Sequence, residues 1–180
     1  MTAGIIEKGN SGLFNNEIEF KGKYATMARF LKDDAGLFQS LRDIYVIAPL
    51  VGFLNNRQET DDEGESVQPA SIFPAEIIKR KTDLRLVYRL IMLLKDEPNY
   101  NLDDYKNRAF KEDVEEDESM IKSNMMIFNS YACGGIEFLY EKFKECDELG
   151  KTVDNLHKYL DSFCTDIGLK ESNNTLPNYS

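Results

Sequence analysis

Apolar side chains recur at three- and four-residue steps along most of this chain, which is the spacing of one face of an α-helix. The clearest stretch lies just before Pro98. Because proline is excluded from helix interiors, this helix is expected to end before Pro98. A chain patterned in this way is constrained to a mainly α-helical fold. The apolar face of this helix carries Leu84, Val87, Ile91 and Leu94, with Leu86, Leu90 and Leu93 beside it.

The same spacing predicts a single, mainly α domain of about five to seven helices. A first helix begins at Tyr24 and is broken or capped at Asp33, and a second follows it as far as Leu54. Pro49 is expected to kink or interrupt the second helix, because proline lacks the N–H that an interior position needs. Further helices are predicted over residues 74–81, 101–110, 120–143 and 152–168.

Two adjacent glycines, Gly134 and Gly135, lie inside the longest predicted helix. Together they disfavour a helix by about 2 kcal/mol relative to alanine, so their presence needs a structural reason. The usual reasons are the close approach of another helix and a bend in the helix axis. The sequence therefore predicts one of these two features near the middle of residues 120–143.

The segments outside the predicted helical domain, residues 24–169, differ from it in composition. Residues 1–23 contain glycine, asparagine and two short apolar stretches, which favours an extended arm or β-hairpin that contacts a partner. Residues 57–70 are acidic and lack periodicity, which predicts a solvated loop. The acidic residues 112–118 predict a solvated loop or the entrance to a helix, and residues 170–180 predict a flexible tail.

Charge and composition exclude several classes of protein. The chain carries 32 acidic and 22 basic residues, a formal charge of −10, which opposes phosphate binding over the whole surface. An apolar fraction of 42% is ordinary for a soluble globular domain. No apolar run approaches the roughly 20 residues of a membrane span, and the first ten residues lack the pattern of a secretory signal. The protein is therefore expected in the cytoplasm.

Side chains suited to catalysis or metal binding are sparse. His157 is the single histidine, so neither a paired-histidine site nor a Cys-His site of ordinary form is expected. The three cysteines, Cys133, Cys146 and Cys164, form no Cys-x-x-Cys pair, and inert reduced thiols are the simplest interpretation. No glycine-rich phosphate-binding motif is present. We therefore expect no catalytic, cofactor-binding or metal-binding residues and no enzymatic activity.

A basic cluster is the strongest candidate for a contact surface. Lys81, Arg85 and Arg89 step by four residues, which stacks them along one side of their helix. Like charges at this spacing repel each other by about 0.2–0.5 kcal/mol per pair, so an anionic group should offset them. That group is a nucleic-acid phosphate, an acidic patch on a partner protein, or the chain's own acidic stretches at 59–65 and 112–118. The predicted partner or nucleic-acid contacts are Lys79, Arg80, Lys81, Arg85 and Arg89.

Two stretches resemble small proteins of bacterial genome defence. Residues 38–57 combine an aromatic residue, a polar turn, Asp43, an apolar run, Gly52 and Arg57. This pattern resembles small accessory proteins of the Dnd DNA-phosphorothioation systems. Residues 128–143 (FNSYACGGIEFLYEKF) resemble the C-terminal helix of the same kind of protein, and middle subunits of SMC-type Lamassu assemblies are similar. The resemblance implies a non-enzymatic partner of a larger ATPase or nuclease.

Three functions are expected from these observations, in order of preference. The first is a non-enzymatic accessory or adaptor subunit of a multiprotein antiviral-defence complex, docked onto a larger ATPase or nuclease and associated with DNA through it. The alternative is a helical nucleic-acid-binding module that uses the basic residues of 79–95, with an affinity that falls steeply with salt. A hydrolase with a carboxylate-bound metal ranks last, because the carboxylates show no ordered spacing.

Overall fold

The computed structural model describes residues 4–8, 12–60, 68–111, 118–145 and 149–166. A small antiparallel sheet has the strand order β1 (Ile5–Lys8), β2 (Glu17–Phe20) and β3 (Ala70–Ile72). The register places Ile5 opposite Phe20 and Ile18 opposite Ile72. The central strand β2 is therefore paired on both sides, with the preceding strand β1 and with β3 from about fifty residues further along the chain.

Helices make up most of the described chain. They are α1 (Gly22–Arg29), α2 (Leu41–Leu54), α3 (Pro74–Lys79), α4 (Lys81–Leu94), α5 (Leu102–Phe110), α6 (Glu118–Phe143) and α7 (Leu149–Asp166). A π-helical turn, Phe30–Asp34, continues α1 and ends it where the sequence predicts a break. The prediction of a mainly α fold with an N-terminal hairpin is confirmed.

Short polar signals set where several helices begin. The Ser40 side chain accepts a hydrogen bond from the Asp43 N–H (3.3 Å) at the start of α2. At the start of α5, the Asn101 side chain accepts from the Asp104 N–H, and the Asp104 carboxylate accepts from the Asn101 N–H (2.9 Å). This reciprocal pair satisfies backbone donors that the first turn leaves unpaired. Helix α3 begins at Pro74, whose ring suits the first turn.

The N-terminal segment belongs to the hydrophobic core, which corrects the expectation of a separate arm over residues 1–23. Ile18 and Phe20 of β2 are fully buried, and so are Leu13 and Phe14 just before it. Apolar side chains that alternate along β2 reach the core because β1 and β3 hold the strand flat against the helices. These side chains are therefore used for folding and are not available to a partner.

The predicted loop over residues 57–70 ends in a strand that the sequence does not reveal. Ala70 begins β3, and both Ala70 and Ile72 are buried. A strand of three residues is too short to show an alternating pattern, so only its pairing with β2 identifies it. Residues 61–67, the acidic residues 112–117 and the predicted tail 170–180 lie outside the described residues.

Two helix predictions need correction. Helix α2 continues through Pro49 to Leu54 as one helix, so of the predicted kink or break, the break does not occur. Helix α7 begins at Leu149 rather than near Thr152, and Gly150 lies inside it instead of closing the preceding segment. A single glycine weakens a helix without ending it, which is why the position of Gly150 misplaces the boundary.

The glycine pair of α6 marks a close helix crossing, which confirms the first of the two features predicted for it. A Cβ atom on Gly135 would lie 1.9 Å from the Ala48 carbonyl oxygen of α2. A Cβ atom on Gly52 would lie 2.0 Å from the Tyr131 carbonyl oxygen of α6. Backbone therefore meets backbone at the crossing of α2 and α6, and only glycine leaves enough room at these positions.

Aromatic rings join the sheet and the helices into one core. Phe128 of α6 lies at the centre of this group. Its ring centroid is 5.3 Å from that of Phe14, 5.7 Å from that of Tyr45 and 6.1 Å from that of Tyr88. The three partners come from the N-terminal segment, α2 and α4, so one side chain connects four parts of the fold.

Candidate interaction surface

Helix α4 is apolar on two sides, and only one of them is buried. Leu84 and Ile91 lie in the core. Leu86, Leu90 and Leu94 follow each other at four-residue steps on the other side and are 59%, 38% and 64% exposed. We call these three residues the leucine face. The prediction that Leu94 shares the core side is wrong, because the second apolar stripe has equally regular helical spacing.

Arg85 and Arg89 run along one edge of the leucine face. Arg89 follows Leu86 by three residues, so their side chains are neighbours on the helix surface. The Arg89 guanidinium lies over the ring of Phe110 in α5, 5.1 Å from its centroid. Both arginines are half-buried. The outer side of α4 therefore combines exposed leucines with a cationic edge.

Lys79 and Arg80 lie where α3 meets α4 and pair with carboxylates of the same chain. Lys79 Nζ donates a hydrogen bond to Glu76. Arg80 Nη1 donates to Asp43 of α2 (2.6 Å), and its Nε donates to Asp83 (2.6 Å). The bond from Arg80 to Asp43 holds the start of α4 against α2, whereas the pair of Lys79 and Glu76 lies within α3. Arg80 therefore has a structural role that the sequence pattern does not show.

Lys81 is also engaged within the fold. Its Nζ donates to the side-chain oxygen of Asn15 (2.6 Å), which joins α4 to the segment before β2. The carboxylates that pair with Lys79 and Arg80 come from α2, α3 and α4. Most of the two acidic stretches considered as partners of the basic helix, residues 61–67 and 112–117, lies outside the described residues. Of the five predicted contact residues, Arg80 and Lys81 join separate elements, Lys79 pairs within α3, and Arg85 and Arg89 border the leucine face.

A second cluster, which the sequence does not reveal, surrounds Arg108 of α5. The Arg108 side chain is 3% exposed, and its Nε donates to the Asn124 side-chain oxygen in α6 (3.2 Å). Asn124 donates in turn to the hydroxyl of Tyr88 in α4 (3.1 Å). Because these partners come from three separate helices, no local pattern marks them in the sequence. A buried arginine is energetically demanding, so this cluster is the second candidate site.

Glu97 supplies the carboxylate nearest to this guanidinium. Its Oε1 lies 3.5 Å from Arg108 Nη2 and also accepts a hydrogen bond from Lys95. The Lys95 ammonium, with a smaller contribution from Arg108, lowers the pKa of the Glu97 carboxyl below its ordinary value. Glu97 is therefore ionised at neutral pH, and its charge is shared between two cations.

Side chains for catalysis or metal binding do not converge in the part of the chain that the structure describes. His157 is exposed on α7, with its Nδ1 3.4 Å from the Asp161 carboxylate. Cys133 is buried and Cys164 is half-buried, while Cys146 lies outside the described residues. Among the described residues, no three His, Cys, Asp or Glu side chains are grouped as metal ligands. No helix in the same ranges is long and apolar enough to cross a membrane.

Glu7 of β1 gives a prediction for the effect of pH on stability. Burial raises the pKa of its carboxyl, and the hydrogen bond from Asn16 (3.0 Å) opposes this only in part. Folding therefore disfavours ionised Glu7, and the penalty grows as pH rises from the unfolded pKa through the higher folded pKa. We expect Glu7→Gln to raise the free energy of unfolding at pH 7, with no gain below pH 4.5, the ordinary pKa of a glutamate carboxyl. Urea unfolding at both pH values tests this, and an equal difference at the two would contradict it.

No protein-family model, no curated protein and no solved structure matches this chain. The candidate surfaces are therefore defined by the chain's own residues. They are the leucine face with its arginine edge, and the buried arginine cluster of α5.

Proposed function

We propose that this protein is a non-enzymatic accessory subunit that docks onto a larger protein through the outer side of α4. The observation that carries the proposal is the leucine face, Leu86, Leu90 and Leu94, exposed along a helix whose opposite side is already packed. Contiguous exposed apolar surface of this kind marks interaction sites in folded proteins. Fully burying one leucine side chain is worth about 1.5–3 kcal/mol, so the stripe offers substantial binding energy to a complementary surface.

The partner surface is apolar with an acidic edge. Leucines at four-residue steps receive apolar side chains of a helix or groove, and Arg85 and Arg89 beside them favour carboxylates on the same partner. A second copy of this chain is a poor occupant, since each copy carries a charge of −10 and the two repel at long range. The chemistry therefore favours a different protein.

The resemblance of residues 38–57 and 128–143 to bacterial defence proteins supports the class of partner. It points to a larger ATPase or nuclease in an antiviral complex. The nucleic-acid alternative has less support, because Lys79, Arg80 and Lys81 already hold hydrogen bonds within the chain. In the proposed complex, contact with DNA comes through the larger subunit.

Replacing the leucine face tests this proposal. The triple variant L86Q/L90Q/L94Q removes the apolar contact while keeping residues that tolerate a helix. If burial of each partly exposed leucine contributes about 1 kcal/mol, the variant should bind roughly 100-fold more weakly. The measurement is affinity purification of the tagged chain from its native cell after nuclease treatment, with mass spectrometry of the retained ATPase or nuclease.

A matched control separates docking from folding. Met126 is 73% exposed on α6, so Met126→Gln adds one amide at an exposed apolar position outside the leucine face. It should retain the partner as the wild type does, and all variants should show the same circular-dichroism melting curve. Equal retention of the large subunit by the triple variant would overturn the assignment of α4. Loss of all partners on nuclease treatment of the wild type would favour the nucleic-acid alternative instead.

A further inference from the structure

A shallow cleft of about 400 Å³ opens beside α5, where the α4–α5 connection meets the beginning of α6. Asn99 turns the chain at its rim with a φ of 71°, a left-handed conformation that asparagine tolerates better than most residues. The cleft is lined by Pro98, Asn99, Tyr100, Asn107, Arg108 and Lys111, together with Asp104 and Met120.

The guanidinium of Arg108 is fixed in this cleft by contacts on several sides. Nε is held by Asn124, and Nη2 lies near Glu97. The Tyr100 ring lies against the guanidinium, with Cζ 5.6 Å from the ring centroid. A planar group held in this way has lost its rotational freedom before any ligand arrives, which favours binding.

One nitrogen of this guanidinium lacks an acceptor. Arg108 Nη1 is buried and makes no hydrogen bond to the residues that the structure describes. A buried donor without a partner is destabilising by about 1–3 kcal/mol, and more when the group is charged. Glu97 does not remove this penalty, because it is nearer to Nη2 and is shared with Lys95. A purely structural role for Arg108 therefore does not explain why Nη1 is buried without an acceptor among the described residues.

The neighbouring side chains suit a ligand that accepts hydrogen bonds. Asn107 of α5 and Lys111, the residue directly after α5, are four residues apart, and both line the cleft. Asp104, the carboxylate among the described lining residues, already accepts the Asn101 N–H at the start of α5. Asp104 therefore stabilises the helix start.

We propose that this cleft binds a small oxyanion, the carboxylate or phosphate group of a small molecule, with Arg108 as its central partner. The fork of an arginine matches the paired oxygens of both groups. Asn107 and Lys111 add donors at the mouth of the cleft, and the Tyr100 ring offers a surface for the body of the ligand. This site is separate from the leucine face and does not depend on the proposed function.

Titration of the isolated, full-length chain with inorganic phosphate and with acetate tests the site and separates its two sources. Chloride at the same ionic strength is the reference. Two-dimensional ¹H–¹⁵N NMR should show saturable shifts at Asn107, Lys111 and the Arg108 Nε–H, with a Kd of about 1 mM for the preferred anion. The anion that binds more tightly identifies a phosphate or a carboxylate ligand.

Lys106 of α5 and Lys111, directly after its last residue, provide a matched pair of variants. Lys111→Ala should weaken binding about fivefold or more, because it removes a cation beside the ligand. Lys106→Ala removes a lysine that pairs with Asp103 (3.2 Å) and does not line the cleft, and it should leave the Kd unchanged. Arg108→Gln should abolish binding, and Asn107→Ala serves as a milder second variant if Arg108→Gln does not fold.

Three results would overturn the proposal. One is the absence of saturable shifts with either anion up to about 100 mM, a range that includes even very weak sites. Another is a response to chloride equal to that of the two oxyanions. The third is an equal loss of affinity in Lys111→Ala and Lys106→Ala, which would indicate general attraction to the helix. Failure of the leucine-face variants to lose a partner would leave these readouts unchanged, so the two proposals fail separately.

Discussion

Gly135→Ala should destabilise the protein by about 2 kcal/mol or more, even though alanine is the better helix former by about 1 kcal/mol. The added Cβ would lie 1.9 Å from the Ala48 carbonyl oxygen and 2.9 Å from the Gly52 backbone nitrogen. Both obstacles are backbone atoms, so no side chain can rotate away to make room. The only relief is to separate α2 from α6, and that separation would loosen the main helix packing of the fold.

Urea unfolding of the full chain measures this effect, with two companion variants. Met126→Ala lies on the same helix at an exposed position and should change the free energy of unfolding by less than about 0.5 kcal/mol. Gly52→Ala obstructs the same crossing from the other helix. Because either substitution already separates α2 from α6, the double variant should lose less than the sum of the two. A Gly135→Ala protein more stable than the wild type would contradict the close crossing.

Phe128→Ala should have the second large effect, a loss of about 3–5 kcal/mol. Phe128 is fully buried, and its ring contacts the rings of Phe14, Tyr45 and Tyr88 from three other parts of the fold. Truncation leaves a cavity that these elements cannot fill without shifting relative to each other. Since a domain of this size has a total stability of about 5–15 kcal/mol, the variant should be close to unfolding at 37 °C.

Differential scanning calorimetry measures the loss in Phe128→Ala. Phe73→Ala makes the same chemical change at a position that is largely exposed, and its midpoint should stay close to that of the wild type. Equal losses of stability in the two variants would show that truncating Phe128 is no more destabilising than truncating an exposed phenylalanine. A small loss in both would contradict the aromatic core that joins the N-terminal segment to the helices.

Much of the fold is predictable from local spacing, because helices use local contacts. The periodicity of α6 places Phe128 in the core, and the Gly134–Gly135 pair correctly indicates a close helix approach. The N-terminal segment is harder to predict because its structure depends on distant pairing. Phe20 lies opposite Ala70, fifty residues away along the chain, and neither residue's immediate neighbours reveal that partner.

The candidate sites are only partly predictable, for physical reasons that differ between them. Helix α4 shows two apolar stripes in its sequence, and local spacing cannot decide which one the rest of the chain covers. The role of Arg80 depends on Asp43 of α2, which only the fold brings close, so the sequence cannot distinguish Arg80 from Arg85 and Arg89. The cluster around Arg108 is invisible in the sequence, because an arginine in a polar helix is ordinarily exposed.

Site-specific photo-crosslinking in the native cell tests the central claim, that the outer side of α4 is where the partner sits. A photo-reactive amino acid in place of Leu90 samples the leucine face, and the same group in place of Met126 samples an exposed position on α6. If the leucine face docks onto the partner, position 90 should crosslink to a larger ATPase or nuclease subunit, and position 126 should not crosslink to that subunit. Crosslinks to that subunit from position 126 but not from position 90 would contradict it, as would crosslinks from position 90 only to a second copy of this chain.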